Sequence, residues 1–539
     1  MPADIVIKNV KILSVADGKI EIGDIAIMGD TIVGVYDAYV GKTEIDGSGL
    51  YAVPGFIDCH CHIESSLLTP FEFERIVLAR GTTTVICDPH ELANVCGTAA
   101  IDYFLDASEK LCMDLRIALP SCVPATNMET SGNDISVSDI LKYKDNKKVT
   151  GLAEMMNYPG VIGCDDKVLT KVASFAHVDG HAPLLSGLSL NAYIAAGIYN
   201  DHETTSIAEA SQKIKKGMTI FMREGTLCKD LKKLIPIIDE FNSPLFALCT
   251  DDRNSLEIED EGHIDHLIRT MIKGGVKPHV AYRIASLSGA IAFGMTDRGI
   301  IAPGRRADIV LLSDLEKVSI EKVIAGGKIA DHAQRKDNPV PLCTLGTVKL
   351  AKITPNAFEI TEPAAKHHVI GIINESIITE HLQSYNAADE PGIAKVCVFH
   401  RYGKNNNVGR AYVKGFEFQG SGAMALTIGH DSHNLCVIGN DDDSMAAAAN
   451  ALIEIGGGMA VAIDGAVTVM MPLPIGGLIS DQPHEQVTKD LKKLKSAAKA
   501  LVPGITDPFL QAAFLPLAVI PHLKVTDIGL VDVDKFKLI

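Results

Sequence analysis

Between residues 53 and 250 the chain repeats one unit: a short apolar run, a polar turn, then a helical segment. The runs read as strands at 53–58, 83–87, 115–120, 149–154, 174–179, 198–201, 219–223 and 245–250. Helical segments fall between them, for example at 70–80, 190–196, 206–216 and 229–241. Strands joined in this way lie parallel, because a parallel return needs a crossover and a helix supplies it. Eight such alternations in roughly 250 residues are the dimensions of a (β/α)8 barrel. An open doubly wound sheet would need a glycine-rich phosphate turn after its first strand. Cys59-His60-Cys61-His62 stands there instead. The expected class is α/β, with a TIM-type barrel over residues 53–300.

The flanks have a different style. Residues 1–52 read as short strands at 5–10, 19–27 and 31–36, set apart or bounded by Gly29-Asp30, Gly41-Lys42 and Asp46-Gly47. The style returns over 301–345, where Gly304 leads through Arg305-Arg306-Ala307-Asp308 into apolar Ile309-Val310-Leu311-Leu312. Isolated hairpins are marginal, so the two groups are expected to form one β-sandwich from both sides of the barrel. From 346 to 539 strands at 394–399 and 423–428 and helices at 444–455 and 485–501 predict an α+β domain. In the last helix Val487, Leu491, Leu494, Ala498 and Leu501 share a face.

Composition narrows the function. Apolar residues make up 47% of the 539 and charged residues 22%, the profile of a globular protein and not of a disordered or fibrous one. Lys and Arg number 50 against 67 Asp and Glu, a net charge of −17 that lacks the footprint of a nucleic-acid binder. The stretch 459–479 is interrupted by Asp464, Pro472 and Pro474, so no membrane span is expected. The first residues show no basic and apolar leader, which predicts a cytoplasmic protein. Its 12 cysteines follow no repeated spacing and are expected to be reduced and packed.

Chemistry in such a barrel sits at the C-terminal strand ends. His60 and His62 close the first strand, and residues i and i+2 of a strand project to one face. Glu154 ends the fourth strand amid apolar neighbours, where a carboxylate needs a partner. His181 follows the fifth, His202 the sixth and Asp251 the eighth. Any one of these alone is more often a polar loop residue than a ligand. Together they would supply N and O ligands to a pair of divalent metals. Such metals lower the pKa of bound water from about 15.7 toward 7, and a carboxylate on one of them can move its proton to a leaving group. The chemistry predicted is hydrolysis of a C–N bond.

These residues, with the closing Pro303-Gly304-Arg305-Arg306-Ala307-Asp308-Ile309-Val310-Leu311, resemble the amidohydrolase superfamily. Within it the chain is similar, over essentially its whole length, to the bacterial and archaeal adenine deaminases. The segments that carry the likeness include Pro54–Ser66, Gly81-Thr82-Thr83-Thr84-Val85, Asp88-Pro89-His90-Glu91, Leu152–Val161, Asp179-Gly180-His181-Ala182-Pro183, Asp201-His202-Glu203, Met222-Arg223-Glu224-Gly225, Thr250-Asp251-Asp252-Arg253 and Gly429–Asn434. The resemblance implies deamination of adenine to hypoxanthine and ammonia, by a metal-bridging hydroxide attacking C6. It implies two divalent metals per subunit, Mn2+ or alternatively Fe2+, held by His60, His62, Glu154, His181, His202 and Asp251, with Asp251 also the proton shuttle. His177, one turn before His181, and Asp252, beside Asp251, remain the alternatives at those two places. Cys59 and Cys61 depart from the small apolar residues expected there, and as strand neighbours their side chains should point away from the site.

Other groups are candidates for the purine itself. Glu91 or His90 is expected to protonate the ring. Arg223, Glu224, Asp252, His430, Asp431 and His433 are candidate substrate-binding residues, the last three reaching over from the C-terminal domain as a lid or as an additional metal site. The expected partner is a small purine base, with neither nucleic acid nor membrane, and the expected assembly is a homo-oligomer, a dimer or higher. The apolar stretch 509–519 suits a subunit interface or a domain core. Cyclic-amide hydrolases of the dihydroorotase type bridge their metals with a modified lysine, whereas the fourth strand here ends in Glu154. An isoaspartyl dipeptidase tolerates such a glutamate but lacks the other motifs. A non-catalytic metal-binding scaffold would show a missing ligand, and none is missing.

Overall fold

The structure, a computed structural model, describes residues 2–331, 336, 339–361, 366–388 and 390–539. Residues 332–335 and 337–338, within the expected 301–345 segment, lie outside the described ones.

The alternation of the central region yields two parallel sheets. One joins Phe56–Cys61, Thr82–Cys87, Asp114–Leu119, Val149–Met155 and Val178–Gly180 in sequence order. The other joins Asn200–Asp201, Thr219–Arg223 and Phe246–Cys249. Polar bonds link them at both edges. Asp251 N–H donates to His60 O at 2.9 Å, and Thr250 Oγ1 donates to the buried Asp58 carboxylate at 2.5 Å. At the other edge Gly180 N–H donates to Asn200 Oδ1 at 2.7 Å. A Cβ at Gly180 would meet Asn200 O at 2.0 Å, so only glycine lets these strands approach. The strands are buried on both faces, Thr82–Cys87 throughout and Asp114–Leu119 at all but Arg116.

Some elements differ from the sequence expectation for local reasons. The run 53–58 divides at Gly55, whose Cβ would meet Thr83 Oγ1 at 2.1 Å. Tyr51–Pro54 pairs antiparallel with Ile309–Asp314, while Phe56–Cys61 enters the parallel sheet. The strand expected at 174–179 shortens to Val178–Gly180, because the preceding helix Asp166–Ala173 ends only at Ser174. The helix expected over 229–241 breaks into Leu231–Leu234 and a tight turn Ile235–Ile237, since Pro236 has no N–H to continue it.

Both flanks join in a single eight-stranded sheet, in which Ile309–Asp314 lies beside Tyr51–Pro54. Ile7, Val10, Ile12, Ile25, Ile309 and Ile324 form its own buried core. The C-terminal region is a second eight-stranded sheet, mostly antiparallel. Helix Asp442–Ile455 covers one face through Met445, Ala448, Ala449 and Leu452, the two alanines letting it come close. Asp441 caps that helix, accepting from Ser444 N–H at 2.9 Å. The amphipathic helix His484–Leu501 buries the predicted Val487, Leu491, Leu494, Ala498 and Leu501. The stretch 459–479 forms strands Gly458–Ile463 and Ala466–Pro472 and a buried loop, and among the described residues no helix is long and apolar enough to cross a membrane.

Candidate active site

His60, His62, Glu154, His181, His202 and Asp251 meet at one end of the parallel strands, and all six are buried. Glu154 stands at the centre. Its Oε1 faces His60 Nε2 at 3.8 Å and His62 Nε2 at 3.5 Å. Its Oε2 faces His181 Nδ1 at 2.6 Å and His202 Nε2 at 3.3 Å. Asp251 Oδ1 lies 3.6 Å from His60 Nε2 and 3.1 Å from His62 Nε2. The imidazole of His202 stacks on that of His60, centroids 4.1 Å apart. His62 Nδ1 lies 3.0 Å from Asp88 O, so its proton sits there and Nε2 keeps a lone pair toward the cluster.

The donor set fits divalent metal ions. His60 Nε2 is buried without a hydrogen-bond partner, which is costly unless something else takes its lone pair. Trios such as His60, His62 and Asp251, or His60, Glu154 and His202, place their ligand atoms within 4.8 Å of one another. Nitrogen and carboxylate oxygen in this mixture suit first-row divalent metals. Burial pushes Glu154 up, but the imidazoles of His181 and His202 outweigh it and hold the carboxyl ionised, as a ligand must be. Asp251 takes a left-handed backbone, φ 54°, to reach the cluster.

The residues left as alternatives lie in different surroundings. His177 turns away, its Nε2 2.9 Å from Asp179 Oδ1, while His181 points into the cluster. Asp252 receives Ser65 Oγ at 2.5 Å and lies beside the cluster. Cys59 packs among Ile57, Phe221, Ala247 and Cys249, and burial pushes both its thiol and that of Cys61 well up, so both are neutral packing groups. All 12 cysteines are free.

A cavity open at its mouth covers the cluster. His90, Glu91, Arg223, Asp252, His430 and Asp431 line it, whereas Glu224 and His433 do not. Glu224 is buried outside it, and burial raises its carboxyl. Arg223 is already engaged: its guanidinium is paired with both oxygens of Glu203 and donates to Asp251 Oδ2 at 2.8 Å. It therefore presents Asp251 in a fixed pose and offers a bound ligand little. His433 lies behind the wall, where it and His430 both contact Glu91.

Four contributions were not foreseen. Asp88 Oδ2 lies 2.9 Å from His90 Nδ1, and Glu203 Oε1 lies 3.7 Å from His202 Nε2. Both stand in strand-end motifs, where a carboxylate beside a histidine is the available signal. The third is apolar: Leu510, Phe514, Leu517 and Ile520 form a roof, so the stretch 509–519 is neither bare surface nor plain core. The fourth is Glu129, buried beside Asp431 and Ser432. Nothing in local sequence marks either of the last two, because the contacts span hundreds of residues.

A model of the amidohydrolase family matches residues 51–330, and a model of the adenine deaminase C-terminal domain matches residues 373–537. An adenine deaminase of Gluconobacter oxydans (strain 621H) is 52% identical over 544 residues, covering 99% of this chain and 96% of that protein. One of Methylobacterium nodulans is 52% identical over 552 residues, covering 100% and 97%. Among solved structures, a β-aspartyl dipeptidase from Fervidobacterium islandicum matches 62% of this chain and 98% of its own at 18% identity and a TM-score of 0.47.

Proposed function

Because the chain belongs to the adenine deaminases of the amidohydrolase family, we propose that the cavity over Glu154 is where adenine is hydrolysed to hypoxanthine and ammonia. The observation that carries this is the Glu154 carboxylate, whose two oxygens face two different histidine pairs. A carboxylate so placed would be available to both ions of a pair. His60, His62 and Asp251 would hold one, His181 and His202 the other, with Mn2+ the ion proposed and Fe2+ the alternative. When bound, such ions act as Lewis acids and make water acidic enough to supply a nucleophile near neutral pH.

The rest of the chemistry belongs to the chain. Asp251, held by Arg223 at 2.8 Å, takes the proton of the attacking water and passes it to the leaving amine. The apolar roof admits a flat heteroaromatic base and excludes bulk water. Asp252 and Asp431 present carboxyl oxygens to the N–H groups of the purine. Around this site the two parallel sheets are inferred to close as a (β/α)8 barrel over 53–300, supported by the bonds from Asp251 to His60 and from Gly180 to Asn200. Residues 1–52 and 301–345 then form the flanking unit and 346–539 the C-terminal domain.

The test is ammonia release from adenine by the full chain with manganese and with a chelator, set against dihydroorotate, hydantoin and β-aspartyl peptides. Adenine turnover lost on chelation and restored by manganese is the expected result. Turnover of a cyclic amide or a dipeptide in preference to adenine refutes the reading.

A further inference from the structure

We propose that His430, carried over the cavity by the C-terminal domain, is the general acid that protonates adenine N1 as water adds at C6. The inference rests on the adenine deaminase reading above and assigns a step that reading leaves open.

The geometry sets His430 apart from Glu91, His433 and His90. Glu91 is an acceptor: His430 Nδ1 lies 2.8 Å from its Oε1, and His433 Nε2 contacts its Oε2. Burial alone would raise the Glu91 carboxyl, but the two imidazoles hold it well below the usual range. His433 cannot serve an ion instead. Its Nδ1 accepts the Gly429 N–H at 3.2 Å, so in the neutral ring the proton sits on Nε2, toward Glu91, and no lone pair is left there. His90 has both ring nitrogens occupied, Nδ1 by Asp88 Oδ2 at 2.9 Å and Nε2 by Glu91 Oε1 at 3.3 Å.

His430 differs from all of these. Its ring lies flat on Phe514, centroids 4.5 Å apart and planes 8° from parallel, which fixes its orientation at the cavity wall. With Nδ1 committed to Glu91, its Nε2 has no hydrogen bond among the described residues. The charged groups facing it are Glu91, Asp252 and Asp431, and the neighbouring His433 is neutral, pushed down to about 4 by burial. Burial opposes the charge on His430, but those carboxylates outweigh it and lift the imidazole to about 9, so it carries its proton at neutral pH.

The step balances. Water oxygen bonds to C6, the C6–N1 π pair moves to N1, and N1 takes the Nε2 proton of His430. Asp251 carries one water proton to the amine, the C6–N6 bond breaks, and ammonia leaves. The remaining hydroxyl proton departs as the C6 carbonyl forms and restores His430. Adenine and water become hypoxanthine and ammonia, with no other reactant.

The test uses the metal-loaded full chain. In H430Q, kcat should fall by about 10²–10³-fold with metal content unchanged, the scale of a lost general acid. Activity falls as pH rises through the acid's pKa, so the basic limb of the kcat/KM profile near pH 9 should be present in the wild type and absent in H430Q. Added imidazole should restore turnover in H430A, and less so as pH rises and imidazolium is lost. Independently of activity, the His430 ring signal in 13C-histidine-labelled protein should titrate near pH 9 and move down in E91Q. H430Q retaining kcat within about threefold, or losing metal together with activity, overturns the proposal. A wild-type His430 already neutral at pH 7 overturns it even if the variants do not fold. Absence of adenine turnover in the wild type defeats the functional reading itself.

Discussion

The floor and the roof of the cavity are built from opposite materials. On the floor the polar groups come from the ends of parallel strands, and each faces others: Glu154 between two histidine pairs, Arg223 between Glu203 and Asp251. On the roof Leu510, Phe514, Leu517 and Ile520 come from one segment near the C-terminus, with His430 and Asp431 set among them. A polar floor is rigid because a buried charge tolerates little displacement from its partner. An apolar roof is held by shape and is free of that constraint. The floor is therefore expected to hold the metal ions and the Asp251 proton shuttle, and the apolar part of the roof to set how tightly and in what pose the base and His430 are held.

The largest effect expected from this contrast is on the floor. Glu154→Gln removes the charge that faces both histidine pairs. Metal content should fall, and adenine deamination should drop by about 10³-fold or more, the upper part of the range for a lost catalytic group. Elemental analysis of the purified variant beside its rate of ammonia release checks this. A fully loaded, active E154Q would erase the distinction drawn here.

A roof substitution should act differently. Phe514→Leu keeps an apolar surface but removes the stacking plate beneath His430. The KM for adenine is expected to rise about tenfold, equivalent to about 1.4 kcal/mol, with metal content unchanged. Steady-state kinetics and metal analysis on the same preparation separate this from a floor defect.

The same contrast explains what could be read from the amino-acid order. The floor was legible because strand ends are local features: an apolar run followed by His60-Cys61-His62, or ending at Glu154, announces a side chain at the end of a buried strand. The order of the parallel strands followed from the alternation, for short crossovers leave few topologies open. Asp88 and Glu203 were half-visible, standing in the right motifs without a partner that spacing could name. The roof was illegible. Phe514 meets His430 across about eighty residues and Glu91 meets His433 across more than three hundred, and no periodicity within 508–520 distinguishes a helix that lids a cavity from one that fills a core. The break at Pro236 is a local feature, a residue without an N–H inside the 229–241 segment.

The smallest effect expected lies where floor, roof and C-terminal domain meet, at Glu129. Its Oε1 accepts from Thr126 N–H at 3.1 Å, while Oε2 is buried without a partner. Burial first, then the nearby Asp431 carboxyl, pushes Glu129 up to about 8. A carboxyl raised on folding binds its proton more tightly in the folded chain than in the unfolded one. Stability is then lost as pH rises from the ordinary carboxyl value near 4.5 toward 8. Glu129→Gln removes that titration. Its stability should therefore depend less on pH over this window, and relative to the wild type it should gain at least about 1 kcal/mol between pH 5 and pH 8. Chemical denaturation of both proteins at the two pH values reads the difference directly. Parallel curves would mean that Glu129 is ionised in the folded protein and that the C-terminal domain meets the floor through an ordinary solvated carboxylate.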